Sequence, residues 1–323
     1  MSGTLTRRGL LGAAAATTVT AGAVGSGETA AATGGHGHHP ASRHEFVVHD
    51  ATVLSMDPAV GDLTRGDVHV RDGRIVAVGR GLRARGERID GRGTVVMPGL
   101  VDTHWHLWTS LYRSLSSTSP ANAYFALNLR NGAKCLPSDL YAGARMGLAD
   151  AVSTGITTVH DWSHNLRSPA HADANLRAHA EVGLRGRFSY GSPQGLPVTE
   201  RIDLADLARV KREWFDAGRL PLMHLGLAGR PPGQSPESVF RPEYDTARGL
   251  GLPVAYHANS TVAQGALQMI RRLSEQRMLT PATQPDPRPV HDGRRARRGA
   301  RQRRLDRLEP VVGACSSGTA SRR

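Results

Sequence analysis

Asp102-Thr103-His104-Trp105-His106 closes the apolar run Thr94-Val95-Val96-Met97-Pro98-Gly99-Leu100-Val101, and its reading decides the fold. A strand projects residues i and i+2 to one face, so His104 and His106 leave it side by side. Two neutral imidazoles at the end of a buried strand suit one divalent metal, zinc above all, with iron or manganese as alternatives. A bare H-x-H favours packed or surface histidines. Here the strand before it, Pro98-Gly99 and Trp108 just beyond all fit one known pattern, and that resemblance favours the metal.

Upstream, residues 45–97 alternate short β runs with turns: Phe46-Val47-Val48, Ala51 to Leu54, Asp67 to Val70 and Arg74 to Val78. Asp72-Gly73 between two such runs predicts a hairpin, and Asp57-Pro58 a turn. The segment reads as a small β domain. Downstream, residues 98–284 alternate strands and helices, which favours a parallel sheet. Strand two is expected at Gly155 to Val159, followed by a loop His160-Asp161-Trp162-Ser163-His164-Asn165. Strand three lies near Gly186 to Gly191, strand four near Leu222 to Gly226, and strand five at Leu252 to Tyr256, ending at His257. One helix begins at Ser138, a plausible N-cap, with Leu140, Ala144 and Leu148 on one stripe; another carries Val262, Leu267, Ile270 and Leu273.

The Pro98-Gly99…Asp102-x-His104-x-His106-x-Trp108 pattern, with Arg113 a few residues on, resembles the amidohydrolase superfamily, in the branch of cytosine deaminase and triazine hydrolases. The resemblance spans residues 45–284. It implies an α/β fold, a (β/α)8 TIM-type barrel after a small β-sandwich half-domain, of which about five strands are present here. It implies a metal bound by His104, His106 and the strand-five His257, and a small-molecule substrate whose non-peptide carbon–nitrogen bond is hydrolysed by metal-bound hydroxide, as in deaminases. Asp161, His164, Trp108 and Arg113 are the candidate substrate contacts; Asp161 equally fits a helix cap, Trp108 barrel packing and Arg113 a surface ion pair. The family's strand-six His and its strand-eight Asp, the general base, are not assigned, because His291 and Asp292 follow no strand. Ser260 stands where many deaminases of this branch have Glu.

The chain ends are of another character. Residues 1–33 read as an export signal: Thr6-Arg7-Arg8-Gly9-Leu10-Leu11 resembles a twin-arginine motif, followed by a weakly apolar run and Ala30-Ala31-Ala32 as a cleavage site. Residues 34–44 form a His/Gly linker. Residues 285–323 hold eleven Arg against four acidic residues, and read as a frameshifted, or else a disordered basic, tail. That tail carries over half of the net charge of +13, and the rest is spread without basic–aromatic clusters, so no nucleic-acid partner is expected. No internal run is long and apolar enough to hold the chain in a membrane. Cys135 and Cys315 form no redox or zinc spacing. The expected protein is an exported amidohydrolase; the alternatives are a truncated, inactive family member and, after that, a non-enzymatic binding protein. Oligomeric state stays open.

Overall fold

A computed structural model describes residues 45–83, 85–258, 266–280 and 283–285. The expected export signal and linker, Ser260, Val262, His291, Asp292 and the tail from 286 lie outside the described residues. The chain divides into two compact units between Val96 and Met97.

The first unit is one mixed sheet of β1 (Phe46–Val53), β2 (Leu63–Arg71), β3 (Arg74–Gly79), β4 (Glu87–Asp90) and β5 (Val95–Val96). Its order is β3-β2-β1-β4, with β5 also pairing β1. The two apolar runs expected to form separate strands are one, with a register irregularity where Asp50 takes a φ of 61°. Asp72 and Gly73 join β2 to β3 with φ of 51° and 72°, the left-handed pair that a tight hairpin requires. Ala51, Val53 and Val68 form the buried core.

The second unit begins with β6 (Leu100–Trp105), a 3-10 turn (Leu107–Tyr112), α1 (Tyr124–Gly132), α2 (Pro137–Ser153) and β7 (Ile156–Ser163). It continues through α3 (Pro169–Val182), β8 (Arg185–Gly191), α4 (Leu204–Val210), β9 (Met223–Gly229), α5 (Glu237–Gly249), β10 (Val254–Tyr256), α6 (Met269–Glu275) and β11 (Thr283–Pro285). The strands stand side by side in chain order in one parallel sheet. Sequential parallel strands joined by helices are the repeating unit of a TIM-type barrel, and this sheet is part of one. All five expected strands are present. A sixth, β11, pairs Val254 with Thr283 and Tyr256 with Pro285; Thr-Gln-Pro carries no apolar pattern, so the sequence concealed it. Strand two also runs four residues further than expected, through Ser163, because β6 and β8 pair with it on both sides.

Helix α2 starts two residues earlier than expected. Leu136 is the cap residue, Pro137 occupies the first helical position, and the Asp139 carboxylate accepts the Leu136 amide at 2.8 Å. Leu140, Ala144 and Leu148 are buried on one stripe. On the same helix Gly143 and Gly147 allow a close approach. A Cβ on Gly143 would lie 2.8 Å from the Trp108 carbonyl oxygen, and one on Gly147 would lie 2.6 Å from Ser110 Oγ. Helix α2 thus packs backbone-close against the turn that follows His106. No helix of the described residues is long and apolar enough to cross a membrane.

Candidate metal centre

His104 lies on β6, His106 directly after it, and His257 directly after β10. Their ligand nitrogens all fall within 4.8 Å of one another. His104 Nε2 is 3.0 Å from His257 Nε2 and 3.4 Å from His106 Nε2. Tetrahedral bonds of about 2.0–2.1 Å place ligand nitrogens about 3.3 Å apart, so the three side chains fit a divalent cation of zinc's size. Two of them are oriented from behind. His106 Nδ1–H donates to the Trp162 carbonyl at 2.8 Å, which in the neutral ring leaves the lone pair on Nε2, facing the centre. The His104 ring stacks on the Trp162 indole, centroids 4.4 Å apart at 15°. Such outer partners set tautomer and direction in ligating histidines.

Strand alternation sorts the residues of β7. His160 and Trp162 face the histidines; Asp161 and Ser163 face α3. Asp161 thus points away from the three histidines, towards α3. Its carboxylate, fully buried, accepts His179 Nε2–H at 3.1 Å, Asn175 Nδ2–H at 3.3 Å and the Leu107 amide at 3.4 Å. Trp108 is also removed from the substrate side: it is 2% exposed in the main core, edge-on to Tyr112. Arg113 is paired with Asp150 of α2 at the surface, the plainer of its two expected roles. Only His164, of the four candidate contacts, joins the histidines. Its ring centroid is 5.1 Å from that of His106 and 5.3 Å from that of His257. Gly191 makes room for it, since a Cβ there would sit 2.6 Å from His164 Nδ1. Withdrawal from water, then the neighbouring His106, push the His164 pKa down to about 3, against a hydrogen bond to the Ser192 backbone. The ring is neutral at physiological pH.

Reading 160–165 as loop hid this division. The signal that exposes it is a pair of spacings: Asp161 and Ser163 at i, i+2 on a strand, and Asn175 and His179 at i, i+4 on the helix that follows. Both put two polar side chains on one face, and the two faces meet.

The sequence pattern of the amidohydrolase family matches residues 95–273, more than half of the chain, and the chain belongs to that family. A 5'-deoxyadenosine deaminase of Methanosarcina acetivorans is 29% identical over 186 residues, 56% of this chain and 41% of that protein. A 5-methylthioadenosine/S-adenosylhomocysteine deaminase of Halobacterium salinarum is 34% identical over 221 residues, 65% of this chain and 47% of that protein. The chain thus spans less than half the length of these two relatives. Among solved structures, an adenosine deaminase from Xanthomonas campestris with bound zinc aligns with a TM-score of 0.65 at 18% identity, covering 80% of this chain and 61% of that one. Atrazine chlorohydrolase from Arthrobacter aurescens TC1, complexed with zinc, aligns with a TM-score of 0.64 at 19% identity, covering 77% and 62%. At these identities the structural likeness concerns the fold, which is that of the amidohydrolase barrels.

Proposed function

We propose that this chain is a zinc-dependent hydrolase of a non-peptide carbon–nitrogen bond, releasing the amino group of a heterocycle, with adenosine derivatives as its substrate class. The observation that carries the proposal is the convergence of three imidazole nitrogens from strands β6 and β10, whose histidines lie 153 residues apart in sequence. The deaminase relatives support the substrate class. His104, His106 and His257 would hold the ion. When bound there, zinc supplies a water that ionises near neutral pH. The protein's own side chains then do the rest. Trp162 fixes the His104 ring by stacking and the His106 ring through its carbonyl. His164, neutral and held by the Ser192 backbone, offers its other nitrogen to a substrate N–H. In the net reaction the oxygen of water bonds to the ring carbon, the carbon–nitrogen bond breaks, and the nitrogen leaves as ammonia. The substrate is a free small molecule, with no nucleic-acid partner and no stable membrane association. We also assign export by the twin-arginine route to Arg7-Arg8; replacing both with Lys is expected to retain the protein in the cytoplasm, read by fractionation.

The test is metal analysis of the purified chain, followed by ammonia release from 5'-deoxyadenosine. About one zinc per chain is expected, and His104→Ala is expected to lose it. Purified protein free of zinc, iron and manganese that also takes up none on reconstitution removes the proposal.

A further inference from the structure

His106 and Leu107 are held by two consecutive residues of β7. The Trp162 carbonyl takes the His106 ring N–H at 2.8 Å, and the Asp161 carboxylate takes the Leu107 backbone N–H at 3.4 Å. The register places Asp161 beside Trp105 on β6, so the carboxylate sits where β6 gives way to the 3-10 turn. Neither side of Asp161 meets water: it is 0% exposed, and its partners Asn175 and His179 are 0% and 1% exposed.

Burying a carboxylate costs several kcal/mol unless donors compensate it. Three donors do so here, and one of them is the amide next to a metal-binding candidate. Helix α3 supplies the other two, Asn175 Nδ2–H and His179 Nε2–H. Asn175 also donates to Ser163 Oγ at 2.6 Å, which ties the helix to the same strand twice. Within this network Asn175 Oδ1 and His179 Nδ1 have no hydrogen-bond partner.

We propose that Asp161 is a positioning residue for the metal centre: it anchors the Leu107 amide, and through it the backbone of His106, to helix α3 on the far side of the sheet. The inference rests on the reading of His104, His106 and His257 as metal ligands. Asp161 touches neither metal nor substrate. An Asn at 161 has the same shape, but its single carbonyl oxygen replaces two acceptors, and its NH2 confronts a donor. The amide cannot accept from Leu107 on one side and from Asn175 and His179 on the other at once, so the bridge from the turn to α3 is broken at one end.

Cobalt(II) titration of the full chain, followed by its visible absorption band, tests this. The panel is the wild type, Asp161→Asn, His104→Ala and Glu243→Gln. Glu243 is a similarly buried carboxylate of α5, paired with Arg230 at 2.6 Å and accepting the Ile202 amide at 3.1 Å. Asp161→Asn is expected to bind cobalt about 10–100-fold more weakly, with a displaced band. Glu243→Gln is expected to lower the melting temperature and leave affinity and band unchanged. Wild-type affinity and band in folded Asp161→Asn overturn the positioning role alone. If Asp161→Asn does not fold, His179→Gln carries the test: it keeps the carboxylate but alters the donor that orients it. Cobalt affinity reduced several-fold, with a shifted band, supports the role, and an unchanged affinity and band overturn it. A wild type that binds no cobalt, or a His104→Ala that binds as well as the wild type, overturns the metal reading itself and the inference with it.

Discussion

His160 faces the centre from β7, and its chemistry is set by its surroundings. One ring nitrogen donates to the Thr103 backbone, and Nε2 accepts from Ser189 Oγ at 2.7 Å. Burial foremost, then the nearby Arg187 and His106, push its pKa down to about 3. The folded protein therefore keeps His160 neutral, whereas the unfolded chain takes up a proton below about pH 6.5. The unfolded state binds more protons between those values, so stability falls as pH drops through that window and is flat above it. The loss is at most about 1.4 kcal/mol per pH unit from this one residue. Denaturant unfolding between about pH 4.5 and 8 with chelator present should show this slope together with a like one from His164, and His160→Gln should reduce it by about half. His164 calls for a different measurement. If it receives a substrate N–H, His164→Ala should raise KM about tenfold while zinc content holds, since one such bond is worth about 1–1.5 kcal/mol. An unchanged KM for the substrate that is turned over would remove His164 from the substrate side. At this scale the pairing of His104 with His106 was legible, because H-x-H at the end of a strand sends both side chains to one face. Asp161 was not, because its identity suits a cap, a substrate contact or a buried anchor equally, and only the extension of β7 through Ser163 decides which way it points.

The elements around the centre were easier to read from inside than at their ends. The apolar stripe of α2 announced itself through Leu140, Ala144 and Leu148, but its start was misplaced by two residues. Ser138 is a good cap in isolation, yet Pro137 at the first helical position and the Asp139 carboxylate on the Leu136 amide override it. The glycines of the same helix carry a prediction. A methyl group on Gly143 meets the Trp108 carbonyl at 2.8 Å, and a backbone oxygen yields less readily than a side chain. Gly143→Ala should destabilise the protein by about 1–3 kcal/mol, as overpacking does, and should weaken zinc binding by displacing the turn after His106. Thermal melts and a competition titration against a zinc indicator check the two effects together. Gly249 serves as the control: nothing lies within 4 Å of a Cβ there, so Gly249→Ala should leave zinc affinity unchanged.

For the molecule as a whole, five parallel strands followed from apolar runs separated by helical patterns, since each buried strand must be mostly apolar to lie under its helices. The sixth, Thr283–Pro285, is held by its neighbour β10 rather than by any pattern of its own. A cation that binds only the folded state stabilises it by mass action. With free zinc at about 100 times Kd, this amounts to about 2.7 kcal/mol, or about 5–10 °C in melting temperature for a domain of this size. Calorimetry with zinc and with chelator should show that gap in the wild type and none in His104→Ala. The contact between His104 and His257 also has a temporal meaning. It joins the first and fifth strands of the sheet across a sequence separation of 153 residues, so it depends on every βα unit in between having docked. Contacts of such long range form late and set the pace of assembly. In a refolding experiment, cobalt colour would therefore act as a clock for the last step: it should lag behind the helical circular dichroism signal and rise with the slowest phase.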